Sequence, residues 1–591
     1  MLKTISSIIN MDNPGHYYHW SIVTISAANL ILIFLMVLVF LLALILPFPG
    51  SKTKFLEETR EIEHEHDHEM STIKSDMWTA KIRNLWLRFL PPNKLIPDSQ
   101  PAYVSSWIYV FGVATLAALF MVIVSGFALA IGGVDWWHTT TLGHFFNSIH
   151  LWSVELFMAF MVIHLWGKFW MAAWRGKRAL TWITGVLAFL ISVIAAFTGY
   201  LSQQNFDSQW IATNGKDAIN ATGIGAFFNL MNFGQMITWH IVLIPLALVA
   251  LVGGHILLVR IRGVSHPLPV KSPRGHQAKI AQKIADEKDW TGPKRKYDII
   301  KEGTFAVVVV FLLVFGLSLL LSSPDKPPVT VQSWANIAPA DFMGTVVSEL
   351  NGTSETANYG PPYNNGTHNV QTIIVSPQLF SGIRQPIDSA NTFVISPLTK
   401  LSINNPSLKI ALSEYTSSSN STKQFWLKNY SDALNKLSFS NNKIFVPNGN
   451  YGPIGVIVSS ELDYARSGAI DTALLAQQPF YGSNYTKPLL FLEDGSYFSS
   501  LAQKEHLIGT QWGVMNETGS YPGQPWLWLY TLWYQIPSFS SSANVDLIAI
   551  LMTLVSTILL MMIPFIPVLR DIPRYIPVHK LIYRSWNKSN K

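Results

Sequence analysis

Long apolar windows, separated by polar stretches, recur along this chain of 591 residues. A helix needs ~20 apolar residues to cross a hydrocarbon core of ~30 Å. The windows that reach this length are residues 22–47, 105–132, 146–171, 182–201, 234–259, 303–322 and 543–568. The pattern therefore predicts an all-α, polytopic membrane protein with seven transmembrane helices.

The composition agrees with this prediction, because 49% of the residues are hydrophobic and only 13% are charged. An ordinary soluble protein is less apolar. The first window has no basic segment directly before it and no A-x-A-like exit, so we interpret it as a retained helix rather than a cleaved signal peptide.

The distribution of Lys and Arg predicts the orientation. Segments 133–145 and 203–232 together contain one such residue, Lys216. Residues 51–104, 171–181, 260–301 and the tail from 569 contain 8, 3, 11 and 6. Basic loops face the cytoplasm, so the N-terminus is expected outside and the C-terminus in the cytoplasm of a plasma-membrane protein.

Glycosylation sequons fall in the segments that the charge pattern places outside, where glycans are added. Asn587, in the inner tail, is expected to stay unmodified. The predicted glycosylation sites are Asn220, Asn351, Asn365, Asn420, Asn429, Asn484 and Asn516.

Residues 323–542 are too long for a loop and predict a separate outer region. Short runs separated by Asn, Gly, Pro and Ser favour a mostly β insertion; they include "VQTIIV", "NTFVIS", "KIFVP" and "PIGVIVSS". Residues 326–520 contain only 11 Lys/Arg and 13 Asp/Glu. Such sparse charge suits an acidic exterior, where carboxylates are protonated.

Several classes of site can be weighed from composition. The chain has no cysteine, which excludes covalent c-type haem, cysteine-ligated iron–sulfur clusters and disulfides. The net charge of +7 comes from the inner loops and does not indicate nucleic-acid binding. In "EIEHEHDHEM", residues 61–70, His64, His66 and His68 are candidate metal ligands, although such a linker segment is more often simply solvated.

Two membrane windows each carry a pair of histidines. His164 follows His150 at position i+14, and His255 follows His240 at position i+15. In a helix these steps return to within about 40° and 60° of the same face and climb about 21 and 22 Å. Because both helices run inward, His150 is level with His240 and His164 with His255.

A single histidine in such a helix is ordinarily a hydrogen-bonded core residue. Four at matched depths point to function, because unpaired imidazoles in lipid are costly. Neutral imidazole is an axial ligand of haem iron, and a helix bundle can hold the flat macrocycle between facing helices. The pattern therefore predicts two bis-histidine haems, one above the other.

Motifs around these histidines resemble cytochrome b of the Rieske/cytochrome b quinol-oxidising complexes. The i+14 and i+15 spacings are similar to those of the plastid-type branch, and the resemblance covers residues 105–322 and 522–568. The matching motifs are "SIHLWSVELFMAFMVIHLW", "RALTWITG" with "GY" at 199–200, Pro245, Arg260 with "RGVS", and "FG" at 111–112 followed by "SG" at 125–126.

The resemblance implies cofactors, partners and an activity. Quinol is expected to be oxidised near the outer surface, one electron going to a Rieske iron–sulfur protein. The other passes through the outer haem, on His150 and His240, to the inner haem, on His164 and His255, and then to quinone. Haems of b type are expected, with A type left open. Protons are released outside and taken up inside, so the subunit is expected to act only within a complex.

Supporting residues follow from the same resemblance. Gly112 and Gly126 lack side chains and let a large ring approach the backbone, although small residues also serve plain helix packing in lipid. Arg178, Arg260 and Lys168 are candidate partners of the inner haem propionates, or alternatively anchors at the inner membrane surface.

The sequence also departs from the family. Asn147 stands where an arginine usually pairs with a propionate. The outer quinol-site motif Pro-Glu-Trp-Tyr is replaced by "PGQP", residues 522–525, so the proton-accepting glutamate is Gly523. Asp207 and Glu517 are candidate replacements, and Tyr530 matches an aromatic residue that the family keeps.

We therefore predict a diheme cytochrome b subunit of a respiratory quinol-oxidising complex, in an archaeal plasma membrane. One alternative is an internal haem relay within a terminal oxidase supercomplex. Another is a non-haem surface glycoprotein or transporter whose histidines are structural or carry protons. The predicted domains are an extra helix (1–50), a cytoplasmic linker (51–104), the diheme core (105–262), a cytoplasmic loop (263–302), a helix (303–322), the outer insertion (323–542), a helix (543–568) and a cytoplasmic tail (569–591).

Overall fold

A computed structural model describes most of the chain. The described residues are 8–13, 15–21, 23–48, 96–97, 99–269, 276–440, 443–478, 482–508, 511–512, 518–523 and 527–589. The histidine-containing segment 61–70, most of the linker 51–104, Glu517 and Asn516 lie outside these ranges.

Within the described ranges, the main helices of the membrane part and its edge are labelled α1 to α9. In chain order they are α1 (Ala27–Ile45), α2 (Val110–Gly132), α3 (Thr141–Trp170), α4 (Ala179–Ser202), α5 (Phe206–Ala221), α6 (Ile244–Arg262), α7 (Ile299–Leu321), α8 (Trp528–Leu532) and α9 (Val545–Met562).

All of these except α5 and α8 are long and apolar enough to span a membrane, some together with adjoining turns, which confirms the seven predicted windows. The chain is therefore a multi-pass membrane protein. Polar side chains begin several spans: Thr140 caps α3 by accepting from the Gly143 amide, and Asp298 caps α7 by accepting from Lys301. Gly133, at φ 78°, ends α2 with a backbone angle that glycine adopts without strain.

Two antiparallel hairpins form the centre of the bundle. In one, α2 packs against α3, and in the other α4 packs against α6. Helix α7 covers α2 and α3, while α9 lies against α4 and α5. The end of the bundle where α7 continues into residues 323–542 is called the insertion side below.

Shorter elements complete this part. They are the 3₁₀ turns Trp107–Tyr109 and Gly176–Arg178, a π turn at Trp239–Leu243, and the helices Val134–Thr139, Phe233–Thr238, His276–Glu287, Pro567–Tyr575, His579–Ile582 and Arg584–Ser589.

The insertion is mostly helical, so the prediction of a mostly β region is wrong. Before α8, its helices are Val331–Ile337, Pro339–Asn351, Glu355–Asn358, Pro377–Ser381, Ser396–Leu401, Pro406–Ser417, Asn420–Leu434, Ile454–Arg466, Ala469–Leu474, Thr486–Glu493 and Ser496–Lys504. Short turns at Ala390–Ile395 and Ser402–Asn404 join them, and Trp533–Gln535 and Pro537–Ser540 follow α8.

The error has a physical cause. β-branched runs such as "PIGVIVSS" are short, and an apolar run of this length does not distinguish a strand from a buried helix. Helix Ile454–Arg466 buries Ile454, Ile457, Val458 and Leu462, which is the three-and-four spacing of one helix face. Tertiary packing on that face outweighed the strand preference of its residues.

Strands are few and short in the described part of the chain. One three-stranded sheet pairs Tyr17–Trp20 with Val23–Ser26, and the latter with Gln511–Trp512. The two-stranded ribbons pair Ser99–Pro101 with Lys294–Lys296, Ser438–Ser440 with Lys443–Phe445, and Ala476–Gln478 with Gly482–Asn484.

Polar contacts and a continuous apolar core join the insertion to the membrane part. The side-chain amide of Gln209, on α5, exchanges two hydrogen bonds with the backbone of Val329, at 2.8 and 3.0 Å. Lys216, also on α5, lies 2.7 Å from Glu493 of the insertion. The insertion is therefore joined to the membrane part through polar contacts with helix α5.

Sequon Asn220 belongs to this joint. It is 3% exposed, and its amide donates to the Tyr359 hydroxyl. A glycan has no room there in the folded chain. Asn365 and Asn420, by contrast, are exposed.

The insertion buries carboxyl groups that have few partners. Glu461 is completely buried, and among the described residues neither of its carboxyl oxygens has a hydrogen-bond partner. Glu349 is also buried, receives a hydrogen bond from Ser354, and lies beside Asp494. Burial raises the pKa of Glu461 and Glu349 well above the usual range, and the Asp494 charge raises that of Glu349 further. The folded insertion thus favours protonated glutamates.

We predict that the insertion is more stable in acid than at neutral pH. A carboxyl group whose pKa is higher in the folded than in the unfolded chain contributes its full stabilisation below the unfolded pKa of ~4.3. This stabilisation is lost as the pH rises from the unfolded pKa through the folded pKa. The thermal unfolding midpoint of the purified protein should therefore be higher at pH 4 than at pH 7.

The variant Glu461→Gln should narrow this difference, because the amide cannot ionise. We expect the free energy of unfolding at pH 7 to rise by ~1–3 kcal/mol. Each kcal/mol raises the thermal unfolding midpoint by ~2–4 °C for a region of this size. Glu414→Gln, at an exposed position, is the control and should change nothing. Equal midpoints at pH 4 and 7 in the unmodified protein would contradict the prediction.

Candidate functional site

The four predicted histidines lie in the two central hairpins. His150 and His164 are on α3, His255 is on α6, and His240 is in the π turn that leads into α6. The rings of His150 and His240 lie next to each other between the hairpins in a T-shaped arrangement, with centroids 6.2 Å apart and planes at 89°. His255 lies close enough to His164 for an electrostatic interaction between the rings.

A glycine on the neighbouring helix faces each histidine. Added Cβ atoms would collide with the imidazoles or press on them, so the helix backbones can approach the rings only where no side chain is present. The nearest histidine atom would lie 3.0 Å from such a Cβ at Gly112 (His164), 3.2 Å at Gly126 (His150), 3.1 Å at Gly185 (His255) and 2.5 Å at Gly199 (His240).

Sequence reasoning identified only the first two of these glycines as site residues. Gly185 and Gly199 lie within the quoted motifs "RALTWITG" and "GY", and they share the i, i+14 spacing of Gly112 and Gly126. This repeated spacing in the helix before each histidine pair was the signal that could have found them.

Hydrogen bonds fix the orientation of the rings on the insertion side. His240 Nδ1 lies 2.9 Å from the Ala195 carbonyl, which can only accept, so Nδ1 carries the proton. His150 Nδ1 lies 3.0 Å from Ser125 Oγ, which already donates its own proton to the Met121 carbonyl. Both Nε2 atoms are therefore free to bind a metal ion.

The same logic applies to one ring of the second pair. His255 Nδ1 lies 3.3 Å from Thr184 Oγ1, whose proton is donated to the Thr181 carbonyl. His164 Nδ1 has no hydrogen-bond partner among the described residues. Three of the four imidazoles thus present an unprotonated Nε2.

The π turn explains why the second histidine pair has the longer, i+15 spacing. At Trp239–Leu243 the Ile244 amide donates to the Trp239 carbonyl, five residues back, so the turn contains one extra residue. The following Pro245 has no amide proton and its ring would crowd a regular turn. The π turn accommodates the extra residue, so His240 and His255 occupy positions equivalent to those of His150 and His164.

The four histidines offer a metal ion two pairs of imidazoles. The described residues contain no group of three or more His, Asp or Glu side chains that could hold a metal ion. Two axial ligands suit a metal whose other ligands come from a macrocycle.

The candidate basic residues lie at the opposite end of the bundle from the insertion. Arg178 is buried and donates to the backbone carbonyls of Gly263 and Asp286, both at 3.0 Å. Arg260 is partly buried in the last turn of α6. The Lys168 ammonium group lies 4.6 Å from the centre of the Tyr109 ring. Arg178 is thus committed to holding loops, while Arg260 and Lys168 have no such backbone contacts among the described residues.

Asn147, which replaces the expected arginine, is buried and points towards the end of α7. Its amide lies 3.4 Å from Ser323 Oγ, which is also 2.9 Å from Ser148 Oγ. It contributes a polar contact between α3 and the start of the insertion and no positive charge.

Two of the three candidate quinol-site residues, Asp207 and Tyr530, lie in the described part of the chain. Asp207 is completely buried, and its Oδ2 accepts two hydrogen bonds from Thr518, both at 3.1 Å. The Gly523 amide donates to Asn29 of α1 at 2.8 Å. Asp207 thus holds the loop before "PGQP", while Glu517 lies outside the described residues.

Tyr530 belongs to a hydrogen-bond chain that sequence reasoning did not predict. Its hydroxyl lies 2.8 Å from that of Tyr534, which donates to Asp546 Oδ1 at 2.5 Å. Burial raises the pKa of both tyrosines above the usual range, so both hydroxyls stay protonated. The sequence does not reveal that Tyr534 links Tyr530 to Asp546, because the link depends on the packing of α8 against α9 in the fold.

Comparisons with known proteins agree with the motifs. Residues 155–328 match the family model "Cytochrome b(N-terminal)/b6/petB", a stretch that includes His164, His240 and His255 and begins five residues after His150. A cytochrome bc complex cytochrome b subunit of Chlorobaculum thiosulfatiphilum is 30% identical over 139 residues, which cover 22% of this chain and 32% of that protein.

A menaquinol:cytochrome c reductase cytochrome b subunit of Geobacillus thermodenitrificans is 25% identical over 211 residues, 32% of this chain and 94% of that protein. Among solved structures, a chain of "Hyperthermophilic respiratory Complex III" is 17% identical, with a TM-score of 0.31 over 67% of this chain and 96% of that chain. The match to the Chlorobaculum protein thus spans about a third of its length. Residues 155–328 of this multi-pass membrane chain are thus similar to the cytochrome b N-terminal/b6/petB family.

Proposed function

We propose that this chain is the diheme cytochrome b subunit of a respiratory quinol-oxidising complex, with residues 105–262 as its haem-binding core. One observation carries the proposal: four histidines, on two hairpins, each face a glycine of the neighbouring helix. Plain helix packing has no need for this match between each imidazole and a bare stretch of backbone.

The residues fit haem in three respects. Metal–imidazole bonds are ~2 Å long, so two rings that would hold one ion between them must lie close together. The 6.2 Å between the His150 and His240 rings meets this requirement. The Nδ1 protons leave Nε2 available, and the glycines leave room where a side chain would fill the space.

Each residue then has a definite task. His150 and His240 ligate one haem on the insertion side, and His164 and His255 ligate the other. Gly112, Gly126, Gly185 and Gly199 leave space along the rings, while Arg260 and Lys168 supply positive charge at the far end. Bound there, the haems supply one-electron transfer across the membrane; b type is proposed because the family is that of cytochrome b.

We further propose the setting of this activity. The Lys- and Arg-rich loops support an orientation with the insertion outside the plasma membrane, in which the His150–His240 pair would be the outer one. Quinol oxidation is proposed on that side, with a Rieske iron–sulfur protein and further respiratory subunits as partners. Quinone is reduced at the inner side, and the difference in proton release and uptake stores energy.

The proposal is tested by the haem content of the purified full-length protein. We expect two low-spin haems per chain, identified as b type by their pyridine haemochrome spectrum. A colourless preparation, with the protein folded by circular dichroism, contradicts the proposal.

Single ligand variants should separate the two sites. His255→Ala removes one axial ligand of the inner pair, so we expect one haem per chain to remain. The remaining haem should be the one nearer the insertion, as judged by its redox titration against that of His240→Ala. Loss of the same spectral component in both variants would contradict the pairing of ligands.

The glycines offer a sharper test. Gly199→Ala places a Cβ 2.5 Å from His240, and we expect the occupancy of the outer haem to fall at least about tenfold, the equivalent of about 1.4 kcal/mol. Gly253→Ala is the matched control on α6, because nothing lies within 4 Å of its added Cβ. Full occupancy in Gly199→Ala would show that this close approach does not matter for haem binding.

A further inference from the structure

At the insertion side, Tyr530, Tyr534 and Asp546 form a chain of hydrogen-bonded groups, called the tyrosine–aspartate relay below. Asp546 lies in the first turn of α9, and its Oδ1 accepts from Tyr534 at 2.5 Å. Its Oδ2 accepts from the side chain of Gln371, in the insertion, at 2.6 Å. Both carboxyl oxygens of Asp546 thus receive donors, as an ionised carboxylate requires.

These contacts give the relay a direction. The single hydroxyl proton of Tyr534 is committed to Asp546, so in its 2.8 Å contact with Tyr530 it can only accept. Tyr530 is therefore the donor in that contact. Its oxygen keeps its lone pairs for a proton donor that approaches from outside the relay.

The position of the relay suits a reaction on the insertion side. Helix α8, with Tyr530, begins three residues after the "PGQP" segment, and α9, with Asp546, packs against α4 and α5. Helix α4 carries Gly199, which faces His240. All three groups of the relay are partly buried, so they are shielded from bulk solvent but remain accessible.

We propose that Asp546 is the acceptor of a quinol proton, which reaches it through Tyr530 and Tyr534; this inference rests on the quinol oxidation proposed above. The quinol O–H bond breaks as Tyr530 gains that proton, Tyr530 passes its own to Tyr534, and Tyr534 passes its own to Asp546. The products are a quinol monoanion and a neutral carboxyl group. No electron moves in this step; the electrons leave afterwards to one-electron acceptors, an iron–sulfur protein and the outer haem.

Asp546 lies near charged groups that belong to a polar network. Its charged neighbours are Asp217 and Lys216 of α5, which lie 3.2 Å apart. Asn369 joins Asp217 to Glu355 through hydrogen bonds of 3.4 and 2.9 Å. Glu355 is 38% exposed at its side chain, so the hydrogen-bonded network of Asp217, Asn369 and Glu355 reaches solvent.

The test uses membranes that contain the full-length chain with its native partners. Duroquinol is added, and the initial rate of quinol oxidation is measured between pH 5 and 9, together with the haem spectrum. For Asp546→Asn we expect a loss of about 100-fold in kcat, in the range for loss of a general base. KM and the haem spectrum should stay unchanged, and the acidic limb of the pH profile should disappear.

A second variant tests the relay without altering the carboxylate. Tyr534→Phe keeps Asp546 and its contact with Gln371 but breaks the relay, and a loss of kcat similar to that of Asp546→Asn is expected. Asp463→Asn is the matched control, at an exposed aspartate of the insertion, and should show the wild-type rate and pH profile.

The outcomes are distinct. A wild-type kcat and pH profile in Asp546→Asn or in Tyr534→Phe overturns the relay alone. So does a variant whose lower rate is fully explained by lost haem, since Asp546 is then a structural residue. Wild-type membranes without haem or without quinol oxidation overturn the proposed function, and the relay with it.

Discussion

The close approach between a histidine on one helix and a bare backbone position on the next is the constraint on which the bundle depends. Four such approaches, two in each central hairpin, set how near α2 lies to α3 and α4 to α6. Glycine weakens a helix in water. Its presence at these four positions is therefore explained by the space that it leaves for the histidine rings. The hydrogen bonds of His150, His240 and His255 to hydroxyl and carbonyl groups hold the rings in that space.

The insertion depends on this bundle through α5. That helix presents Gln209 to the Val329 backbone and Lys216 to Glu493, and both contacts are largely enclosed. The buried glutamates further inside the insertion favour the protonated state, which agrees with the low density of charge in its sequence. An acidic exterior would supply those protons at little cost in free energy.

Electron-transfer and proton-transfer groups are separated in the proposed arrangement. Three of the histidines lie within regular membrane helices, and His240 lies in the π turn that leads into α6. The tyrosine–aspartate relay lies at the edge, where α8, α9 and the insertion meet. Gln371 contributes to both the docking of the insertion and the environment of Asp546, so a region absent from the motif resemblance completes the surroundings of a reacting group.

The sequence by itself determined the seven membrane spans, because the length and apolar character of a spanning helix are imposed by the bilayer. It also determined the two histidine pairs, since helical periodicity converts their spacing along the chain into a shared face. Local patterns failed in the insertion, where the β-branched run from Ile454 forms a helix that tertiary burial stabilises. Only the tertiary structure decided which glycine faces each histidine, how the π turn absorbs the extra residue before His255, and that Tyr530 reaches Asp546. The histidine–glycine and tyrosine–aspartate contacts join separate elements, about which spacing within one element carries no information. The π turn is a local departure from the regular helix that such spacing assumes.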